Sequence, residues 1–166
     1  MVKYPKDKPQ NDYQWRTGRS CKYKLNYHLI FITKYRRGVF TDSMLSRLEI
    51  LFAETCLQLD GKLLEFNGED DHVHLLLSLP PKIALSVAIS KLKGKSSYFL
   101  RREFTKELAK KLWGSHLWSP SYCLVSCGGA SLDTIKQYID NQRRPSSVWG
   151  VMVAKRHNKT VDLNDS

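Results

Sequence analysis

Apolar and polar positions alternate along residues 22–34, and the spacing of the apolar positions becomes helical soon afterwards. Alternation with a period of two, in a segment rich in aromatic and branched side chains, predicts a β-strand. A helix is then predicted from Thr41 or Asp42, either of which can cap it, to about Leu59. The alternating positions of the strand are Tyr23, Leu25, Tyr27, Leu29 and Phe31.

The rest of the pattern continues this succession of strands and helices, with breaks at glycine and proline. Asn67-Gly68 is a strong signal for a turn between two strands. The remaining predicted elements are strands over 62–66, 72–79 and 119–126, a helix from about 83 past 99, and a last helix over 131–144. The resulting order, βαββαβ plus a C-terminal helix, predicts an α+β, ferredoxin-like (RRM-like) domain with an antiparallel sheet.

The length of 166 residues, 42% of them hydrophobic, suits one folded domain. We assign this domain to residues 21–145, between a polar basic N-terminal arm (1–20) and a weakly patterned C-terminal tail (146–166). No apolar run approaches the ~18 residues of a membrane span, and the N-terminus lacks the apolar core of a secretory signal. The sequence therefore predicts a cytoplasmic protein without a membrane partner.

Charge points to a polyanionic partner. The chain has 27 Lys and Arg against 16 Asp and Glu, a net charge of +11, which favours binding to a polyanion. Charge alone does not choose among DNA, RNA and an anionic membrane. No basic amphipathic helix dominates the chain, which disfavours the membrane.

The four cysteines do not have the paired spacing of a zinc site. Cys123 and Cys127 can be combined with His116 into a partial ligand set, but a fourth ligand is missing. Reduced, mostly buried thiols are the favoured interpretation for a cytosolic chain.

Two histidines, His72 and His74, lie two residues apart in the predicted strand over 72–79. Side chains two apart in a strand share a face, so both imidazoles point the same way and form a half-site for a divalent metal. A His-x-His in a strand can also be incidental. A histidine-triad hydrolase would need a third histidine where Leu76 stands, and a two-histidine phosphoesterase would need a second copy of the motif.

The last predicted helix carries Tyr138 and Gln142, which are four residues apart and therefore project from one side. A tyrosine presented in this way can be a nucleophile, and an amide oxygen can be a neutral metal ligand. The alternative is that Tyr138 packs in the core and Gln142 is solvated.

Together these segments resemble the single-tyrosine HUH transposases of small insertion sequences, the insertion-sequence-two-hundred group. The resemblance covers roughly residues 21–145. Its motifs, in chain order, are residues 27–31 leading to Lys34-Tyr35-Arg36-Arg37, then 71–76, 91–94 and 138–142. The long N-terminal arm departs from the family, and the segment after Pro145 is poorly covered.

The resemblance implies a DNA transposase that cuts and rejoins single-stranded DNA, to excise and insert a small mobile element. His72, His74 and Gln142 would be ligands of Mg or Mn, and Tyr138 the nucleophile that forms a 5′-phosphotyrosine. The implied partners are hairpin ends of the element and a second copy of the chain. In that homodimer the tyrosine helix would act in trans, and Gly128-Gly129 could be its hinge or an ordinary turn.

Basic residues are the candidates for holding the DNA, since phosphate contacts give affinity without sequence choice. Solvated helix faces are commonly basic too. The candidate DNA-binding residues are Lys34, Arg36, Arg37, Lys91, Lys93, Lys95, Arg101 and Arg102.

Three other functions compete with the transposase. They are a non-catalytic nucleic-acid-binding module on a ferredoxin-like sheet, a domesticated HUH endonuclease acting on host repeats, and a plain metal-dependent hydrolase. For His28 a structural and a DNA-proximal role are both open. Trp113 and Trp118 are interpreted as core or interface residues rather than base-stacking platforms.

Overall fold

The computed structural model describes residues 15–127. The chain enters through a two-stranded hairpin, β1 (Arg16–Thr17) and β2 (Lys22–Tyr23). The guanidinium of Arg16 donates to the carbonyl of Asp60 at 2.6 Å and lies 5.4 Å from the Tyr23 ring centre. The end of the predicted N-terminal arm is therefore part of a hairpin, and Arg16 forms an intramolecular hydrogen bond.

The main sheet is built from four strands, connected by helices. These elements are β3 (Asn26–Thr33), a 3-10 turn (Lys34–Arg36), α1 (Asp42–Gln58), β4 (Lys62–Gly68), β5 (His72–Ser78), α2 (Leu85–Glu103), α3 (Thr105–Ala109) and β6 (Trp118–Ser126). The strands lie in the order β4-β5-β3-β6, and every neighbouring pair is antiparallel. The predicted α+β class with an antiparallel sheet is confirmed. The predicted strand over 22–34 is divided into β2 and β3, and α3 was not predicted.

One face of the sheet packs against the two long helices. Leu29, Phe31, Val73 and Leu75 alternate along β3 and β5 with residues of the opposite face and are almost fully buried. The helices contribute their own apolar faces to this core: Met44, Leu48, Phe52 and Cys56 from α1, and Ala88, Leu92 and Leu100 from α2. Burial of this apolar surface is the main force that holds the layers together.

The boundaries of α1 follow its sequence signals. Thr41 is its N-cap, and the Thr41 hydroxyl accepts a bond from the Met44 backbone N–H at 3.4 Å. Near the same end of α1, Arg47 forms a two-bond ion pair with Glu103 of α2 at 2.7 and 2.8 Å. This pair draws the pKa of the Glu103 carboxyl below its usual range.

The predicted turn at Asn67-Gly68 is wrong. Both residues belong to β4, where Asn67 pairs with His74 and Gly68 with Val73. The chain reverses over 69–71 instead, and the Glu69 N–H donates to the His72 carbonyl at 2.9 Å. A Cβ at Gly68 would lie 2.5 Å from the Leu45 side chain. Gly68 is thus explained by close packing against α1 and not by turn geometry.

No helix within residues 15–127 has the length and apolar character needed to cross a bilayer.

Candidate active site on the central strands

His72 and His74 lie on the sheet face opposite the helices. They alternate along β5 with Val73 and Leu75, which are buried in the helical core. The two imidazole centroids are 5.1 Å apart and the rings meet at 74°. Because β5 pairs with both β3 and β4, the histidines are mounted on a strand that is hydrogen-bonded on both sides.

The His72 ring is oriented by the residue before it. Its Nδ1 lies 2.6 Å from Oδ1 of Asp71, and the other carboxylate oxygen of Asp71 accepts from Nε of Arg36 at 3.3 Å. The side chains of Asp71 and His72 are largely shielded from solvent, whereas Arg36 is exposed. A hydrogen-bonded series therefore runs from Arg36 through Asp71 to His72.

The His74 ring is oriented by His28 of β3. Nε2 of His28 lies 3.0 Å from Nδ1 of His74, and both side chains are buried. The ring planes are within 13° of each other and the centroids are 5.2 Å apart. The distance between the ring centres equals the nitrogen–nitrogen distance plus about one ring radius on each side. The two nitrogens therefore lie on the line between the ring centres, and the rings are edge to edge in nearly one plane, as a direct hydrogen bond requires.

Burial lowers the pKa of His28 to about 4, so this imidazole is neutral at physiological pH and one of its nitrogens can accept a bond. Of the two roles left open for His28, the structural one is favoured, because its ring contacts His74, a proposed metal ligand. The contact depends on strand register: Ile30 is opposite His74, which brings His28 diagonally across from it. The sequence places His28 on the first predicted strand without indicating a partner, and the strand register brings it to His74.

The two rings suit a divalent metal. A histidine that ligates through one nitrogen characteristically bonds its other nitrogen to a carboxylate, a carbonyl or another acceptor. Nδ1 of His72 is hydrogen-bonded to Asp71 and Nδ1 of His74 to His28, so if these rings hold a metal, Nε2 is the favoured ligating atom of each. Within 15–127, no three His, Cys, Asp or Glu side chains are grouped as a metal site, so a further protein ligand would have to be of another type or come from another part of the chain.

The alternative ligand set of His116, Cys123 and Cys127 is not grouped as a metal site in the described part of the chain. His116 is exposed and bonds Ser115. Burial raises the pKa of the Cys123 and Cys127 thiols, which disfavours the thiolate that binds metal.

The turn after β3 holds two consecutive residues in the left-handed region, Tyr35 at φ 60° and Arg36 at φ 51°. That conformation costs roughly 1–2 kcal/mol for each non-glycine residue. Hydrogen bonds fix both flanks of the turn: the Lys34 N–H donates to the Leu117 carbonyl at 2.8 Å, and the Thr33 hydroxyl donates to the Arg37 carbonyl at 2.8 Å. The turn is therefore a defined structure in which no residue is buried.

The predicted DNA-binding residues fall into two groups. Lys34, Arg36 and Arg37 follow β3, at the end that pairs with His72. The other five lie on α2, in the layer on the far side of the sheet from the histidines. One member of each group contacts the segment over 113–114, because Arg37 lies over the Trp113 ring and Arg101 donates to the Gly114 carbonyl. Contact of these eight residues with DNA stays a prediction.

The five basic residues of α2 differ in their surroundings. Lys91 is exposed. Lys95 pairs with Glu54 at 3.3 Å, Arg101 donates to the Gly114 carbonyl, and Arg102 donates to the Tyr98 hydroxyl. Lys93 is half-buried, and its ammonium donates to the carbonyls of Ser119, Pro120 and Ser121 at 2.7–3.3 Å. Lys93 therefore has an intramolecular function that its sequence position did not reveal.

Tyr138, Gln142 and the glycine pair Gly128-Gly129 lie outside the described residues, as do the predicted last helix and the C-terminal tail. Trp118 is buried among Phe31, Phe40 and Phe52, as predicted. The prediction of a core or interface position for Trp113 is not matched by burial, because 77% of this side chain is exposed.

Residues 21–142 match the family model described as IS200-like transposases. The match begins before β3, includes both histidines of β5 and extends to the position of Gln142. The chain belongs to the IS200-like transposase family.

Individual relatives agree with this membership. The IS200-like transposase is 35% identical to the ISDra2 transposase TnpA of Deinococcus radiodurans over 131 residues, which are 78% of this chain and 91% of that protein. It is 31% identical over 121 residues to the transposase for insertion sequence element IS200 of Salmonella typhimurium, covering 73% of this chain and 78% of that protein.

Solved structures share the fold. A crystal structure from Deinococcus radiodurans R1, solved as a candidate transposase, is 34% identical with a TM-score of 0.62, and the match covers 76% of this chain and 97% of the other. A tyrosine transposase bound to a REP hairpin matches with a TM-score of 0.51 at 11% identity, over 75% and 70% of the two chains. The IS200-like transposase is thus a DNA-processing protein of mixed α+β fold.

Proposed function

We propose that this IS200-like transposase cleaves and rejoins single-stranded DNA by metal-assisted transesterification through a 5′-phosphotyrosine on Tyr138. Its biological role is the excision and insertion of a small mobile element. The observation that carries the proposal is the pair of imidazoles on β5, each with Nδ1 hydrogen-bonded to its own partner, Asp71 or His28. Family membership adds the expectation of a tyrosine nucleophile.

His72, His74 and Gln142 would hold Mg or Mn. Two imidazoles and one amide leave coordination positions for substrate oxygens, and abundant Mg completed by phosphate oxygens is compatible with such a set. When bound, the metal polarises the scissile phosphate and stabilises charge that develops during displacement. The protein contributes the orientation of the two rings, which the Asp71 and His28 bonds restrict.

Tyr138 would attack phosphorus in line with the bond to the leaving 3′ oxygen. A phenol has an ordinary pKa of about 10, so the reaction needs nearby positive charge to favour the phenolate. The new tyrosine–phosphorus ester forms as the phosphorus–3′-oxygen bond breaks, and the released 3′-hydroxyl takes up a proton. A second 3′-hydroxyl then attacks the phosphotyrosine, which restores both a DNA phosphodiester and the tyrosine. One ester is exchanged for another, so cutting and joining need no ATP.

The DNA partner is proposed to be a single strand with hairpin ends. The tyrosine transposase that shares this fold is itself bound to a REP hairpin, which supports a hairpin as the substrate class here. Lys34, Arg36 and Arg37 follow the strand that pairs with β5 and would supply phosphate contacts close to the histidines. We further propose a homodimer in which the tyrosine helix of one subunit completes the site of the other.

The sheet order β4-β5-β3-β6, with helices on one face, supports a ferredoxin-like assignment for the domain over 21–145. In this proposal Tyr138 and Gln142 lie on an additional C-terminal helix. The tail over 146–166 lies outside the catalytic domain, whereas the end of the arm over 1–20 is attached to it through the β1–β2 pairing and the Arg16–Asp60 bond.

The decisive experiment is a search for a covalent adduct. The protein is incubated with labelled single-stranded DNA from the flanks of its own gene in Mg or Mn, and the products are separated on a denaturing gel. Parallel reactions contain EDTA, Tyr138→Phe, His72→Ala and, as a matched tyrosine control, the exposed Tyr98→Phe. We expect an adduct with the wild type and with Tyr98→Phe, and none with the other three.

Each failure of this pattern has a distinct meaning. Cleavage that persists in Tyr138→Phe would make the protein a metal-dependent hydrolase with another nucleophile. Tight DNA binding without cleavage or adduct would make it a binding module. An adduct that forms equally in EDTA would remove the metal from the mechanism.

A further inference from the structure

Two exposed aromatic rings stand beside the strand end that carries the metal-ligand candidates. Tyr35 is 74% exposed and Trp113 is 77% exposed. Burying rings of this size stabilises a protein, so two exposed rings on neighbouring segments point to a surface that meets another molecule.

These rings belong to two segments that are fastened to each other. The Lys34 N–H donates to the Leu117 carbonyl, and the Lys111 ammonium donates to the Gly38 carbonyl at 2.9 Å. The Arg37 guanidinium lies 5.0 Å from the centre of the Trp113 ring. We call the surface formed by Tyr35, Arg37 and Trp113 the aromatic edge.

The aromatic edge is positively charged. The Lys34 ammonium lies 5.3 Å from the Tyr35 ring centre, and Arg36, Arg37 and Lys111 are exposed on the same two segments. Aromatic rings interleaved with basic groups are the combination that holds single-stranded nucleic acid, since the rings stack on bases and the cations meet phosphates. A hydrophobic protein partner would not require this density of positive charge.

The backbone holds Tyr35 in position for such a contact. Tyr35 and Arg36 both have positive φ, yet no side chain of the turn is buried to account for that conformation. Strain that is held by flanking bonds and serves no packing purpose is characteristic of functional segments. Arg36, the neighbour of Tyr35 in this turn, also bonds Asp71, which bonds His72, so two hydrogen bonds connect the turn that carries Tyr35 to one proposed metal ligand.

We propose that the aromatic edge is a stacking site for unpaired bases of single-stranded DNA, placed beside the histidine pair. Base stacking itself does not depend on the proposed function, but the role of the bound strand as the cleavage substrate does. Stacking on Tyr35 and Trp113 would hold the strand next to the scissile phosphate, while Arg37 neutralises the backbone. The site is tolerant of base identity, because every base has an aromatic face.

The test measures equilibrium binding without metal, so that no cleavage occurs. Fluorescence anisotropy gives the Kd for a labelled oligothymidylate and for an abasic oligomer of the same length, which keeps the phosphates and lacks the bases. The full-length variants are Tyr35→Ala and Trp113→Ala, with Tyr35→Phe and Trp113→Phe as conservative substitutions that keep a ring. Tyr98→Ala is the matched control, because Tyr98 is also exposed and also lies against a cation, Arg102.

We expect the wild type to prefer the oligothymidylate, and each alanine variant at the aromatic edge to lose about five- to a hundred-fold of that preference. The phenylalanine variants and Tyr98→Ala should retain it. Stacking carries no counterion release, so Tyr35→Ala should leave the salt dependence of binding unchanged. All substituted side chains are exposed, and thermal unfolding should match the wild type.

The proposal is overturned if Tyr35→Ala and Trp113→Ala keep the full preference for bases, or if the wild type has none. An effect of Tyr98→Ala as large as theirs would also overturn it. The adduct assay separates this outcome from the fate of the proposed function. If the protein forms the adduct but both alanine variants keep the preference for bases, only the stacking proposal is refuted. If the protein forms no adduct but the variants lose the preference, the stacking proposal stands and the proposed function fails.

Discussion

Nε2 of His28 lies 3.0 Å from Nδ1 of His74, and the two rings are nearly coplanar in the buried centre of the sheet. One nitrogen of the pair must donate and the other accept. If His74 binds metal through Nε2, that atom carries no proton, and Nδ1–H of His74 donates to His28. The hydrogen bond to His28 therefore determines which nitrogen of His74 carries the proton.

We predict that His28→Phe weakens metal binding by about ten- to a hundred-fold, as is usual for loss of a partner that orients a ligand. Phenylalanine keeps an aromatic ring and removes the accepting nitrogen. Calorimetric titration of the metal-free protein with Mn measures the affinity. Nitrogen NMR of the histidine rings, also without metal, should show Nδ1–H on His74 in the wild type and a shift towards Nε2–H in the variant.

His72 is the internal control for this measurement, because its Nδ1 is paired with Asp71 and not with His28. Its tautomer should be the same in both proteins. Finding Nε2–H on His74 of the wild-type protein would refute the assignment of His28 as the positioning residue.

A second prediction concerns the carboxylate of Asp71, which accepts from both His72 and Arg36. Asp71→Asn keeps an oxygen acceptor and removes the negative charge that makes His72 a better ligand, so we expect metal affinity to fall by about ten- to a hundred-fold. Arg36→Gln is the matched variant, since it breaks the exposed ion pair and leaves the Asp71–His72 bond. Its affinity should stay near that of the wild type, and an equal loss would assign the effect to the ion pair.

The histidine face of β5 could be predicted from the sequence because strand periodicity depends only on the local backbone. The same holds for α1, whose cap and apolar spacing are encoded within the helix. The His28–His74 contact could not be predicted, because it depends on the register of β3 against β5. Nothing in the local pattern of either strand sets Ile30 opposite His74.

The differences at Asn67-Gly68 and Trp113 have related causes. Asn67-Gly68 has the composition of a hairpin turn, but Gly68 lies in β4 where the Leu45 side chain approaches the backbone. For Trp113 a core or an interface position was expected from residue type, and its exposure in a loop excludes the core position. In both cases the position of the residue depends on how distant segments pack together, which residue preference alone does not predict.

Lys91 and Lys93 look equivalent in the sequence, and the structure predicts that they behave differently. Burial lowers the pKa of Lys93 to about 8, while its ammonium bonds three carbonyls around the start of β6 and lies 5.1 Å from the Phe31 ring centre. Lys93→Met should lower the free energy of unfolding by about 1–3 kcal/mol, because the partly shielded carbonyls lose a charged donor. Chemical denaturation measures this loss.

Lys91→Met is the control on the same helix. Lys91 is exposed, so its unfolding free energy should change by less than about 0.5 kcal/mol. If Lys91 contacts a phosphate as predicted, its loss lowers the salt slope of single-strand binding by about 0.7, and Lys93→Met should not change that slope. A stable Lys93→Met protein with a reduced slope would show that Lys93 contacts DNA after all.

The last prediction concerns the buried bond between Trp118 and Ser96. The indole N–H of Trp118 donates to the Ser96 hydroxyl at 2.9 Å, and that hydroxyl donates to the Leu92 carbonyl at 2.6 Å. Ser96→Ala should destabilise the protein by about 1–3 kcal/mol, because the indole N–H stays buried without its acceptor. The exposed Ser90→Ala on the same helix should be close to neutral.

A double-mutant cycle separates the indole bond from the serine's own bond to Leu92. In a Trp118→Phe background no indole N–H is present, so Ser96→Ala should cost much less than in the wild type. An equal cost in both backgrounds would mean that the serine stabilises α2 through the Leu92 carbonyl alone. Trp118 lies in β6, which pairs with β3, the strand that carries His28. A large coupling energy between Ser96 and Trp118 would therefore link the stability of α2 to that of β3.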